Sequence, residues 1–565
     1  MKLLLTLPLL IGVLAIPAAV RPTVNQGGVL NAASYGLDLL PNNGVAQGSM
    51  FVVFGSALGP TTLTQASGFP LPTSLGGTSI QVISGSTTVN AIMLYTSTSQ
   101  VAAILPSTTP IGFASLTLTY NNQASASVSI QVVGTNFGIF SRSQTGGGPA
   151  VVQNYVSGTQ QPLNSPLAPA NPGQVMILWG TGLGASPGSD ALPPAGGNLP
   201  VAVQVWVGNQ QATVQYSGRS PQFPGIDQIN FQLPNNVPLG CYVPLAINAA
   251  GRMSNFTTIA IASQGNICSD PHGQSSADLT RIAGGATLKV GWIQLVRYIF
   301  HGTIAGVGTV DGTADTGWGD FFQMNQASLG SDSPVDHFAG IALGTCYVFS
   351  MPVGGMAPVR SARLNVGAAL NLQGSEGSRV MPPDRNGMYD KNALGGTITP
   401  AIFTLKNGLI LDPGAFSVDN GSGAAALGAF HANLTIPQTT TSIQWTNFNS
   451  ISTIARSQDL TITWTGGDDT QEFVMVGASV SVPGLIAQKA QAMVIVGCAQ
   501  RPSAGKMVIP AAILSALPAT GSDPSASSLA VVRAPLLESS RVGITGLDAA
   551  YLSYAQINEN TVTYK

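Results

Sequence analysis

Five kinds of residue in this chain have side chains that could do chemistry, and their spacing decides what each could do. The stretch "GASPG" (184–188) places Ser186 in a G-x-S-x-G frame. A nucleophilic serine in that frame needs a strand before it and a helix after it, which hold the hydroxyl in a strained elbow. Here the apolar run ends at Trp179, and "SDALPPAGG" follows, a segment that cannot start a helix. The expected role of Ser186 is a turn. The four histidines, His272, His301, His337 and His431, are scattered and form no HExxH. Asp336 adjoins His337, but neighbours on a strand point to opposite faces, so the two are no ready dyad. "GGDDTQE" (466–472) and "SVDNGSG" (417–423) offer the carboxylate and amide oxygens that suit calcium. Neither has the loop spacing of a calcium site, and hairpin turns use the same residues for local hydrogen bonds, so turns are expected. No cofactor or metal site is expected, and no catalytic residue.

Of the six tryptophans, Trp179, Trp206, Trp445 and Trp464 lie in alternating strand patterns and are expected in cores. Trp318, in "DTGWGDFFQ", reads as part of a glycine-rich loop and is the candidate ligand contact, an exposed ring on which a sugar could stack. The cysteines are Cys241, Cys268, Cys346 and Cys498, with no CxxC among them, so zinc and thioredoxin-type redox chemistry have no support. An even number of isolated cysteines in an exported chain suits two disulfides. Three pairings are possible. Cys241 with Cys268 and Cys346 with Cys498 is preferred, because each bridge then stays within one half of the chain.

The elements that position these residues are strands. Segments such as "TSIQVI" (78–83), "ASLTLTY" (114–120), "VAVQVWVG" (201–208) and "DLTITWTG" (459–466) alternate apolar and small polar side chains between Gly, Pro and Asn clusters. The expected fold class is all-β, with tandem immunoglobulin-like β-sandwiches followed by further β-sandwich domains. A motif also recurs: "VVFGSALGP" (52–60) and "ILWGTGLGA" (177–185). "QVAAILP" (100–106) answers to "QINFQLP" (228–234), and Gly112 to Gly240, both 128 positions on. Landmarks kept in order mark two copies of one module. Gly55 and Gly180 are expected to break their strands at a bulge or a positive φ. A phosphate loop is excluded, because no GK[ST] follows and no helix presents its N-terminus.

Composition bounds the rest. Length of 565 residues implies several domains. Hydrophobic content of 44% excludes disorder of the highly charged kind, and a net charge of −2 offers no field for nucleic acid. "MKLLLTLPLLIGVLAIPAAVRP" has the form of a secretory signal, with cleavage expected between Pro17 and Arg21, and no membrane span is expected after its removal. The expected domains are a signal peptide at 1–20, sandwiches at 21–135 and 136–268, a β-rich domain at 269–440, and a C-terminal sandwich at 441–565. The last boundary rests on "TIPQTTTS", read as a linker.

The motifs "GGVLNAASY", "VVFGSALGP", "PLPTSLGGTSIQV", "WGTGLGAS", "IDQINFQLP" and "SNFTTIAIA" resemble the IPT/TIG-type modules in exported repeat proteins of Solibacter-type acidobacteria. The resemblance spans residues 27 to about 263. The second half is similar to a β-rich region of the same kind of bacterial protein. It implies tandem immunoglobulin-like sandwiches outside the cell and brings no catalytic residue with it. The expected function is therefore non-enzymatic: an adhesive, structural or binding protein, secreted or at the cell surface, whose partners are extracellular polysaccharide or other surface proteins. A carbohydrate-binding protein, or an accessory to a glycan-active system, is the alternative. A hydrolase with its site in 269–440 is the third reading, since paired carboxylates can be assembled from distant strands.

Overall fold

The computed structural model describes residues 21–37, 40–269, 275–304, 307–330, 340–352, 362–399, 407–438, 443–483, 490–520 and 526–565. The expected signal segment, His272 and His337 lie outside these residues. The chain is an all-β, multi-sandwich protein. Among the described residues, no helix is long and apolar enough to cross a membrane.

The first module sets two sheets face to face. One runs in the order Thr23–Asn31, Met50–Ser56, Gln100–Ile104, Ile92–Thr96 and Thr64–Gln65. The other centres on Val128–Val133, Gly112–Tyr120 and Thr78–Ser84. Alternation sends Ile80, Val82, Leu116, Leu118, Ile130 and Val132 into a shared core with Phe51 and Val53. In the second module Gln210–Arg219 runs unbroken and pairs on both sides, so its strands join in one continuous sheet path. The duplication is visible in backbone detail. Asn121 and Asn122 turn one hairpin with positive φ, as Ala250 and Gly251 turn the other. Just beyond each turn, Ser125 Oγ accepts from Leu118 N and donates to Ala126 O, while Ser254 Oγ accepts from Ile247 N and donates to Asn255 O.

The repeated glycines do not break their strands. Met50–Ser56 and Val175–Thr181 run through them. Their reason is close approach: a Cβ on Gly55 would lie 2.0 Å from Thr23 O, and one on Gly180 would lie 2.3 Å from Gly138 O. Beyond Gly180 the second copy becomes the joint between modules. Asp227, fully buried, accepts from Gly182 N and Leu183 N at 2.7 Å each and pairs with Arg219 at 2.6 Å. Arg219 also donates to Gly184 O. Across the joint, Thr181 Oγ1 accepts from Met50 N, and Asn31 Nδ2 donates to Asn136 O.

The remainder is built on one eight-stranded sheet in the order Thr345–Pro352, Ala490–Gln500, Glu472–Pro483, Ser527–Pro535, Ala549–Thr561, Leu288–Ile304, Gly308–Met324 and Tyr389–Thr399. Every neighbouring pair is antiparallel except Leu288–Ile304 with Ala549–Thr561. This corrects the boundary expected near 440, because strands from both sides of it interleave in the same sheet. Thr/Ser-rich composition marked a connection, and a connection need not separate cores. Two smaller layers cover the sheet. The strands Gly377–Met381, Leu370–Gly374, Gly414–Asp419 and His431–Ile436 close a core on Ile293, Leu295, Leu552 and Tyr554. Gln444–Trp445, Leu460–Thr465 and Lys506–Ile509 close another on Val474, Val476, Leu529 and Val531. Both disulfides are formed as preferred, Cys241–Cys268 and Cys346–Cys498.

Candidate functional site

Trp318 is not in a loop. It sits within the strand Gly308–Met324, paired with Gln294 on one side and Asp390 on the other, and it is half-buried. The glycines beside it create room rather than a turn: Cβ atoms on Gly317 and Gly319 would meet Met381 and Leu370 at 2.9 and 2.6 Å. The candidate contact is therefore corrected to a sheet position. Ser186 lies at the module joint, where its N–H donates to Ser107 Oγ and its hydroxyl reaches Asp190 Oδ1 at 3.4 Å. Among the described residues no histidine joins this set, and no helix follows Ser186: it lies in an irregular connection with bends at Pro187 and Gly188. Asp468 Oδ1 accepts from Thr470 N and Oγ1, the local bonding of a turn, whereas Asp469 accepts from Ser503 N and Oγ across 34 residues of chain and ties the turn to the segment after Ala490–Gln500. His431 meets Asn433, and His301 pairs across the ladder with Asp311.

The arrangement with chemical potential is one that the sequence reading missed. In "AQINEN" (555–560) strand alternation sends Gln556, Asn558 and Asn560 to one face. That face also carries Arg297, Ile299 and His301, their partners on the parallel strand Leu288–Ile304. The two covering layers close their cores on neighbouring parts of the same face, and none of these six residues belongs to either core. What is left is a shelf between the layers. Gln556, Asn558 and Asn560 are half-buried there, and their carboxamides have no hydrogen-bond partner among the described residues. Side chains two apart on a strand stand about 6.7 Å apart, so the shelf presents a row of groups that both donate and accept.

Its borders are fixed. Arg297 donates to both oxygens of Asp315, at 2.8 and 2.9 Å, and to Asp412 at 2.8 Å. Asp315, fully buried, also accepts from Ile410 N and Leu411 N. Burial alone would lower the Arg297 guanidinium, but the hydrogen bonds and charge of Asp315 and Asp412 outweigh it and hold the pKa raised. Arg533, paired with Glu472, lies 6.0 Å over the Tyr554 ring, whose hydroxyl burial pushes up to about 12. At the outer end the His301 ring meets Phe448 edge-on at 5.6 Å, and Phe448 meets Trp445 at 5.0 Å. Trp445, expected in a core, is half-buried at this border. The available signal was the amide, apolar, amide, acid, amide alternation, which puts polar groups where a buried strand would be apolar.

No protein-family profile and no curated protein matches this chain. Solved structures with some similarity include SGBP-B of the Bacteroides ovatus mixed-linkage glucan utilization locus, in complex with a mixed-linkage heptasaccharide. It is 11% identical with a TM-score of 0.19, and the match covers 61% of this chain and 64% of that one. Domains 5–6 of the S-layer protein SbsC are 10% identical with a TM-score of 0.16, covering 43% and 100% of the respective chains. The plexin A4 extracellular region is 11% identical with a TM-score of 0.14, and the chain spans 18% of its length and matches over 44% of its own. These likenesses concern β-rich architecture and carry no functional conclusion.

Proposed function

We propose that this chain is a non-enzymatic recognition protein of the cell exterior, and that its carboxamide shelf takes an uncharged glycan. The observation that carries the reading is the row Gln556, Asn558 and Asn560, half-buried and without a hydrogen-bond partner among the described residues. Sugar hydroxyls donate and accept at once, as a carboxamide does. An extended peptide is a poorer fit. The shelf's strands are interior to the sheet, so their main-chain groups are spent in the ladder and only side chains are on offer. An anionic ligand is also a poorer fit, because the two arginines that flank Gln556 are paired with carboxylates, Arg297 with Asp315 and Asp412 and Arg533 with Glu472.

Other features support the setting. Two disulfides suit an oxidising compartment. The signal-like N-terminus and the resemblance to exported acidobacterial repeat proteins point the same way. Three carboxylates of the 269–440 region are committed to arginines, Asp315 and Asp412 to Arg297 and Asp320 to Arg363, which favours binding over hydrolysis.

The test is retention of the purified chain on a panel of insoluble neutral polysaccharides. Wild type should be held by at least one of them. Asn558→Ala with Asn560→Ala should lower affinity by about tenfold or more, each lost hydrogen bond contributing on the order of 1 kcal/mol, with no loss of thermal stability. Trp318→Ala, on the far face of the sheet, should leave retention unchanged. Wild type retained by none of them, or a double variant retained as well as wild type, would sink the assignment.

A further inference from the structure

Between the strands Leu460–Thr465 and Glu472–Pro483 the chain reads "GGDDTQ", and after Ala490–Gln500 it reads "RPSAGK". Gly466 and Gly467 take φ of 82° and 92°, which lets the first segment turn tightly. The two segments are tied together, because Asp469 accepts from Ser503 N and Oγ. Asp468 N donates to Glu472 Oε1 at 3.1 Å and fixes the first turn to the large sheet. With Pro437, at the end of the other covering layer, these segments enclose a cleft of about 790 Å³. Pockets of about 300–1,000 Å³ are of a size to hold small ligands.

The floor of the cleft is Glu472 and Arg533, from neighbouring strands of the large sheet. Arg533 is also the ladder partner of Gln556, so the cleft adjoins the inner end of the shelf. Its Nε donates to Glu472, while Nη1 and Nη2 have no hydrogen-bond partner among the described residues. The Arg533 side chain is 14% exposed and lies over the Tyr554 ring, so its fork is held in place. Its charge is answered and its outer donors are left over. On the wall, Asp468 Oδ1 accepts from Thr470, and Oδ2 has no partner among the described residues. Hydrogen bonds from the Thr470 hydroxyl and N–H hold the Asp468 carboxyl below its ordinary value, so it is charged at neutral pH.

These charges select the ligand. Asp468, Asp469 and Glu472 turn an anion away, and a cation would meet Arg533 on the floor. A neutral polyhydroxy compound suits the set. Two adjacent hydroxyl oxygens can accept from the two Nη groups of the fork, and a hydroxyl can donate to Asp468. Pro437 and Pro502 give the walls an apolar surface for the C–H side of a ring. We propose that this cleft is a second subsite for the glycan of the shelf, and that Arg533 reads a pair of adjacent hydroxyls there. The assignment rests on the shelf reading and extends it to specificity. Each shelf carboxamide meets hydroxyls singly, whereas a planar fork fits one spacing and orientation. Arg533 therefore sets which sugar is held.

Retention of the full chain on the neutral polysaccharide that holds wild type is the test. Arg533→Lys keeps a cation for Glu472 and loses the fork, so it should weaken retention about tenfold. Gln471→Trp, at an exposed position on the cleft wall, should weaken it as much by filling the cleft, with an unchanged melting temperature. A soluble oligosaccharide of the same polymer should compete for wild type about tenfold better than a form lacking one hydroxyl of the pair. That preference should vanish in Arg533→Lys, whereas an arginine with a merely structural role would leave it in place. Retention lost in Asn558→Ala with Asn560→Ala but unchanged in both cleft variants overturns the cleft and leaves the shelf standing. Retention lost in the cleft variants alone keeps the cleft and overturns the shelf. Wild type held by no polysaccharide overturns both.

Discussion

Glu559 stands on the face of the large sheet opposite the carboxamide row, between Phe300 and Ala530 in the ladder. Burial pushes its carboxyl up to about 7, from an ordinary value of 4.5. A carboxyl raised on folding favours the folded state only while protonated. Its contribution is complete below about pH 4.5 and fades as pH rises through about 7. Urea midpoints should therefore fall between pH 5 and pH 8 by the equivalent of about 1–3 kcal/mol, and Glu559→Gln should flatten that slope. An unchanged slope in the variant would move the effect to another group. At this scale the sequence was partly legible. Cysteine pairing could be ranked, because bridges within one half of the chain need no long-range topology. Trp318 was misread because glycines on both sides suggest a loop, whereas here they admit the side chains of a covering layer. The amide row escaped notice because only the topology shows that its face lies between two cores.

Among the elements, the repeated strand and its glycine were readable as a fold signature from the order of landmarks alone. The reason for the glycine was not, since close approach involves Gly138, distant in sequence. Gly180→Ala should cost at least about 3 kcal/mol, the upper end of overpacking, because a Cβ there would meet Gly138 O and the Phe137 ring, both 2.3 Å away. Gly158→Ala, with nothing within 4 Å of its Cβ, should change the melting temperature little, and equal losses at the two sites would contradict the close-approach account. At the joint, Arg219→Ala leaves Asp227 buried without its cation. Removing one partner of a buried pair costs about 3–5 kcal/mol, so calorimetry should show the first two modules melting earlier or separately.

For the whole molecule, the all-β class followed from alternation and turn residues, while the C-terminal architecture did not. Alternation gives each strand its faces but not its neighbours, so one sheet built from interleaved halves reads as two domains. The Cys346–Cys498 bridge ties those halves together across 152 residues of chain and Cys241–Cys268 spans 27. In the loop-entropy account the longer bridge contributes about 5 kcal/mol and the shorter about 3.5. Cys346→Ser with Cys498→Ser should accordingly lower the denaturant midpoint more than the other pair of substitutions, and the reverse order would place the shorter bridge at the more critical site. The single parallel pairing in the large sheet has a consequence in time as well as space. Leu288–Ile304 cannot find its neighbour Ala549–Thr561 until roughly 245 further residues have emerged from the ribosome. The first module closes over a stretch of little more than a hundred. Pairings so far apart in sequence form slowly. The C-terminal half must therefore spend its synthesis with an unfilled sheet position, held soluble by whatever attends it until its last strand arrives.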